Sequence, residues 1–235
     1  MILPIDLRTA EEECFCTIKR VIDAKTKSHW TIDFDLEGIK IMPVALRLFR
    51  RLKYDENNLQ QSTILLFSDA GSTALAQREA PDFHNEIFSF KDYLKYQQQD
   101  PNPNEILLIV SPEQSDYDLF EEICNRHRGC ILLLNGKLED IAVGIGSVAR
   151  KRRRSFLSNW QPVYVLLVLR GAVLQRRFPN DWELYRQNDY GYSFLVSSQG
   201  KPDLEMLDKA LNDGRVVSLD TSLQALDKYI KSFDL

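Results

Sequence analysis

Residues 141–156, IAVGIGSVARKRRRSF, bring together two kinds of residue that handle anions. Gly144 and Gly146 stand where a helical pattern begins, and free backbone N–H groups at a helix start can hold a negative charge. Arg150, Lys151, Arg152, Arg153 and Arg154 then follow without interruption. On a helix over 145–160, Ile145, Ala149, Phe156 and Trp160 share one side, while Arg150, Lys151 and Arg154 turn away from it. Arg153 falls near the apolar side, so it must snorkel or meet a carboxylate, and Asp69 is a candidate partner. Arg150 in the first turn opposes the helix dipole, and an anion between Gly146 and Arg150 would remove that conflict. The alternative is a solvated face paired with Glu139 or Asp140.

A second set of polar residues follows buried strands. Ser68-Asp69 with Gly71 and Ser72, Ser111-Pro112, and Asn135-Gly136 each end a short apolar run. In an open parallel sheet, ligands bind beyond the carboxyl ends of the strands. Asp69, Gly71, Ser72, Ser111, Asn135, Gly144, Gly146, Arg150 and Arg153 are therefore the candidate ligand or anion site. Lys151, Arg152 and Arg154 are candidates for contact with an acidic partner. Asp69 has a second reading, as the cap of the helix that starts at Ser72 or Thr73.

Other chemistries lack their signatures. Gly144-Ile145-Gly146 is only part of a dinucleotide fingerprint, and no P-loop or nucleophile elbow is present. His29, His84 and His127 are scattered, so no metal site is expected. Cys14 and Cys16 point to different helix faces, and Cys124 and Cys130 lack the tight spacing of a zinc or redox pair, which reads as four reduced thiols. No cofactor and no catalytic residue are expected. The 235 residues carry a net charge of −4 and are 44% hydrophobic and 27% charged. That describes a globular chain with a sizeable core, and it disfavours a dedicated nucleic-acid binder. No apolar run is long enough to span a bilayer, and the N-terminus does not read as a signal or transit peptide.

The elements that must position these residues are legible from periodicity. Residues 8–25 read as a helix capped by Thr9, with Glu12 three residues on. HWTIDFDLEG alternates Trp30, Ile32, Phe34 and Leu36 with polar neighbours, as a strand with one wet face and an edge position would. Pro43 opens a second helix. STILLF, EILLIV and CILLL read as strands covered on both faces, with helices after the first two, and NEIFSF as a further short strand. YLKYQQQDPNPN reads as a loop. PVYVLLVLRGAVLQRRFP reads as a hairpin around Arg170-Gly171, and DWELYRQ and YSFLVS extend it. Two closing helices, in KPDLEMLDKAL and TSLQALDKYIKSF, complete the pattern. The expectation is a three-layer, Rossmann-like α/β sheet, mainly parallel, with an antiparallel C-terminal extension. A single domain over 1–235 is expected, its parallel core at about 28–160 and its antiparallel strands and terminal helices at about 161–235.

Three stretches, LLFSDAGSTALAQR, ILLLNGKLEDIAVGIGSVARKRRRSF and PVYVLLVLRGAVLQRRFPNDWELY, resemble an uncharacterised domain family of cyanobacteria and chloroplasts. That family includes the Low PSII Accumulation 3 protein and a domain fused behind a chloroplast adenylate kinase. The resemblance runs from about residue 8 to 210. It rests on Asp-Ala-Gly at 69–71, Leu-Asn at 134–135, Leu-Glu-Asp at 138–140, Gly-Ile-Gly at 144–146, Arg150, Arg153, Phe156 and the Arg-x-Phe-Pro stretch ending at Trp182. The family often has proline at the positions of Ser68 and Gly136, and fewer basic residues than Lys151, Arg152 and Arg154 supply here. The resemblance implies a photosynthetic source and a non-catalytic accessory role in building or maintaining photosystem II, in contact with its subunits or assembly factors. It further implies a cytoplasmic or stromal location, peripheral on an anionic thylakoid surface. The absent transit peptide suits a cyanobacterial chain. A nucleotide- or phosphorylated-metabolite-binding protein is the alternative.

Overall fold

In the computed structural model, residues 3–24, 29–54, 62–99, 105–138 and 155–212 are described. Their strands form one nine-stranded sheet in the order β3-β2-β4-β5-β1-β6-β7-β8-β9. These are β1 (His29–Asp35), β2 (Thr63–Phe67), β3 (Ile87–Ser89), β4 (Ile106–Val110), β5 (Cys130–Leu134), β6 (Gln161–Leu169), β7 (Ala172–Arg177), β8 (Trp182–Asn188) and β9 (Gly191–Ser198). The first six are parallel. From β6 onward the pairing is antiparallel, and the β6–β7 turn runs through Gly171 at φ +70°. Helices cover both faces, so the layered α/β expectation holds.

One face carries α1 (Leu7–Ala24), α2 (Ile41–Lys53) and α3 (Ala70–Glu79). Cys14, Ile18, Leu48 and Phe49 from these helices meet Trp30, Ile32, Phe34, Leu65, Leu108 and Leu132 of the strands. The other face has two separate apolar clusters. The first joins α4 (Phe90–Gln99) and α5 (Tyr117–Arg126) to Ile64, Leu107, Ile131 and Leu133, with Phe156 and Trp160 packed alongside. The second joins α6 (Leu204–Asn212) to Val165, Leu167, Leu174, Trp182 and Leu184.

Several local expectations change. Strand β1 is central, not an edge, because β5 and β6 pair with its two sides. The Asp6 carboxylate, not Thr9, caps α1: it accepts from the Thr9 N–H at 2.8 Å. Residues 93–99, read as loop, belong to α4. Its polar glutamines hide a buried face of Phe90, Tyr93 and Leu94. Ser89 and Asp92 also cap its start, with Ser89 Oγ donating to Asp92 Oδ2 at 2.7 Å and accepting from the Asp92 N–H at 3.2 Å. Pro43 lies in the first turn of α2 rather than at its first position. The closing helix expected in TSLQALDKYIKSF lies outside the described residues.

A side chain extends the join between β5 and β1. Just past β5, Asn135 adopts φ +49°, a left-handed conformation that asparagine tolerates better than most residues. Its side-chain amide donates to the Phe34 carbonyl at 2.8 Å, and its Oδ1 accepts from the Phe34 N–H at 2.9 Å. Its own N–H bonds the Ile32 carbonyl at 2.8 Å. The amide thus imitates a backbone pair where the ladder would otherwise stop. Asn135→Ala removes both side-chain bonds and keeps an unfavourable φ, so urea denaturation should show a loss of about 2–3 kcal/mol. Asn135→Gly relieves the φ and should lose less. Equal stability of both variants and the parent would count against the clamp.

Candidate functional site

The carboxyl ends of β2, β4 and β5 lie side by side, with Phe67 opposite Val110 and Val110 opposite Leu134. Asp69, Ser111 and Asn135 are thereby brought to one edge of the sheet. Their polar groups are largely engaged by the chain itself. Asp69 caps α3, accepting from the Ser72 N–H at 2.8 Å, and that bond is the main reason its carboxyl sits below the usual range. A side chain at Gly71 would come within 3.1 Å of the Asp69 carboxylate, which favours glycine there. The Ser111 N–H donates to the Leu134 carbonyl at 2.8 Å, and the Lys137 N–H to the Pro112 carbonyl at 2.9 Å. Ser111 holds φ +44°, an uncommon conformation for a residue with a Cβ, and it turns the chain sharply off β4. Gly144, Gly146, Arg150, Lys151, Arg152, Arg153 and Arg154 lie outside the described residues, and so does any pairing of Arg153 with Asp69.

The opposite end of the sheet holds what the sequence reading missed. A cavity of about 610 Å³ opens where β1, β6 and β8 begin and β7 ends, lined among others by His29, Asn159, Trp160, Arg176, Trp182 and Lys201. Register puts them together: Trp30 pairs with Gln161, Arg176 with Val165, and Trp182 with Arg176. The Arg176 guanidinium lies 5.4 Å from the Trp182 ring centre. Burial holds its pKa below the usual arginine value, against the pull of Asp181. His29 packs edge-on to Trp160 at 4.9 Å, and burial lowers its pKa. The signals available in sequence were the wet face of β1 and the Arg-x-Phe-Pro stretch, whose first and last residues, Arg176 and Trp182, meet in the cavity wall.

A polar stripe leads away from that cavity. His29, Thr31, Asp33 and Asp35 share one face of β1, by the strand's period of two. Thr31 pairs with Leu133 of one apolar cluster, and Asp33 with Val165 of the other. The stripe therefore separates the two clusters. Burial raises the Asp33 pKa to about 6, partly offset by the charge of Lys201.

Two further polar networks lie within the fold. On the α1 face, Glu13 accepts from Tyr164 at 3.2 Å, Gln175 at 3.0 Å and Arg177 at 3.4 Å. Arg177 also reaches Glu183 at 3.3 Å, and the Tyr185 hydroxyl donates to Glu183 at 2.7 Å. This network ties α1 to the antiparallel strands. At the start of β4, Glu105 accepts from Tyr93 at 3.1 Å and Ser62 at 3.2 Å, and its carbonyl lies 2.9 Å from His127 Nε2. Burial lowers the His127 pKa to about 4. A side chain at Gly129 would strike the Glu105 carbonyl at 2.1 Å, so only glycine fits beside this histidine. Among the described residues, no three His, Cys, Asp or Glu side chains form a metal-ligand group.

Asp33 and His127 oppose each other in acid. Asp33 holds its proton more tightly in the fold, so its contribution is full below its ordinary value of 3.8 and is lost as pH rises through about 6. His127 is held neutral, so its contribution is full above 6.5 and is lost as pH falls towards about 4. These two contributions should therefore largely cancel between about pH 4 and 6.5, leaving the gentler climb with pH that the lowered His29 pKa adds, and Asp33→Asn should make that climb steeper. Near neutrality Asp33→Asn should be the more stable protein by about 1–2 kcal/mol. Parallel denaturation profiles for the two proteins would contradict the assignment.

No helix among the described residues is long and apolar enough to cross a membrane. No match to a curated protein is found. The model of a family described as Domain of unknown function (DUF1995) matches residues 4–209, all nine strands of the sheet and every described helix except the end of α6. A match of that extent, over a fold of this class, places the chain in the DUF1995 domain family.

Proposed function

We propose that this protein is a non-catalytic accessory factor for photosystem II assembly or maintenance, acting at the cytoplasmic or stromal surface of the thylakoid. The observation that carries the reading is the exposed hairpin of β8 and β9. Tyr190 at its tip is fully exposed, and Tyr192 and Phe194 on β9 are 43% and 50% exposed. Among the described residues, strand β9 is an edge of the sheet, eight residues long and uncharged. Sheets usually blunt such edges with charge, proline or short length, and a bare aromatic edge suits contact with another protein. The sequence resemblance to the family of the Low PSII Accumulation 3 protein supplies the photosynthetic context. The self-engaged groups at Asp69 and Asn135 favour this reading over nucleotide or phosphorylated-metabolite binding at the carboxyl edge.

A second contact follows from charge. Lys151, Arg152 and Arg154 would draw the protein to an anionic thylakoid surface, by about 1 kcal/mol for each basic residue near it. Photosystem II subunits or assembly factors are the proposed protein partners.

Tagged protein recovered from gently solubilised thylakoids should carry photosystem II subunits or assembly factors above an untagged control. Replacing Tyr190 and Tyr192 with lysine should abolish that enrichment with no change in melting temperature. Reversing charge at Lys151, Arg152 and Arg154 should weaken sedimentation with anionic vesicles. Recovery of the bait alone, or full enrichment by the tyrosine variant, would contradict the proposal.

A further inference from the structure

We propose that the cavity at the amino end of β1 and β6 binds a small organic anion, a carboxylate or phosphate ester attached to a flat apolar ring. Its volume of about 610 Å³ lies within the range of small-molecule sites and far exceeds what an inorganic ion needs. In a chain of net charge −4, the described residues that line this cavity include Arg176 and Lys201 and no acidic side chain. Two of the three tryptophans of the chain, Trp160 and Trp182, are in its wall.

Arg176 supplies the charge partner. Its Nε donates to the Pro162 carbonyl at 3.3 Å and its Nη1 to the Gln199 carbonyl at 3.5 Å, both long bonds. Among the described residues, no carboxylate lies within 4.0 Å of its guanidinium. Its neighbour Arg177, on the other face of β7, meets both Glu13 and Glu183. The contrast is informative: a half-buried guanidinium is costly unless an anion faces it. Planar guanidinium geometry suits two-point contact with a carboxylate or phosphate. The indoles of Trp160 and Trp182 and the ring of Pro162 offer the apolar surface, and Asn159 and Gln161 the neutral hydrogen-bonding groups. Lys201 also lines the cavity, and its charge acts on Asp33 as well.

The tryptophans make the test direct. The full chain is titrated with phenyl phosphate, benzoate and inorganic phosphate, and with benzamidine as a cation of the same shape, while tryptophan emission is followed. At least one of the two aromatic anions should give a saturable change, inorganic phosphate should bind more weakly, and benzamidine should give none. Arg176→Gln should weaken the aromatic anion by at least tenfold. If circular dichroism shows Arg176→Gln unfolded, Lys201→Gln takes its place and should weaken binding severalfold. Saturation by benzamidine, unchanged binding in the folded variant, or no saturable response to either aromatic anion at tens of millimolar would overturn the proposal.

Discussion

Strand β1 must join two halves of one sheet while burying only one of its own faces in apolar core. Trp30, Ile32 and Phe34 fill the core beneath α1 and α2, and His29, Thr31, Asp33 and Asp35 look the other way. A central strand with so polar a face is unusual, because strands between parallel neighbours are normally apolar on both sides. The cost is limited by position. The stripe falls where one apolar cluster ends at Leu133 and the other begins at Val165, so neither cluster is interrupted. The Asn135 amide then prolongs the join of β1 to β5 past the end of the ladder. The cavity, the raised pKa of Asp33 and the split of one face into two cores all follow from that strand.

The apolar runs of β2, β4 and β5 were readable because burial on both faces leaves an unmistakable composition. The hairpin at Gly171 was readable because its turn needs a positive φ. Neighbouring strands are another matter. The alternation of β1 was correctly seen, but alternation reports which faces are wet, not which edges are paired. Helix α4 was missed because its six lysine, aspartate and glutamine residues outnumber the three apolar residues that anchor it. The role of Asn135 depends on Phe34, a residue 101 positions away, which no local pattern encodes. The cavity gathers residues from 29 to 201 by register alone.

The two ends of the sheet differ in how their polar groups are spent. At the carboxyl edge, Asp69 serves Ser72 and Asn135 serves Phe34. At the amino end, the hydrogen bonds of Arg176 among the described residues are two long ones to carbonyls, and Trp182 lies against it. On this account the protein meets small anions at the amino end and other proteins along the β8–β9 edge. The exposed aromatics Tyr190, Tyr192 and Phe194 are not among the residues that line the cavity, so an accessory role and a ligand do not compete for the same side chains.

Amide chemical-shift mapping of the labelled full chain during a phenyl phosphate titration tests this division most directly. The account predicts that the perturbed amides cluster at Trp160, Gln161, Arg176, Trp182 and Lys201. Perturbation centred instead on Gly71, Ser72, Ser111 and Asn135 would contradict it and return the ligand site to the carboxyl edge.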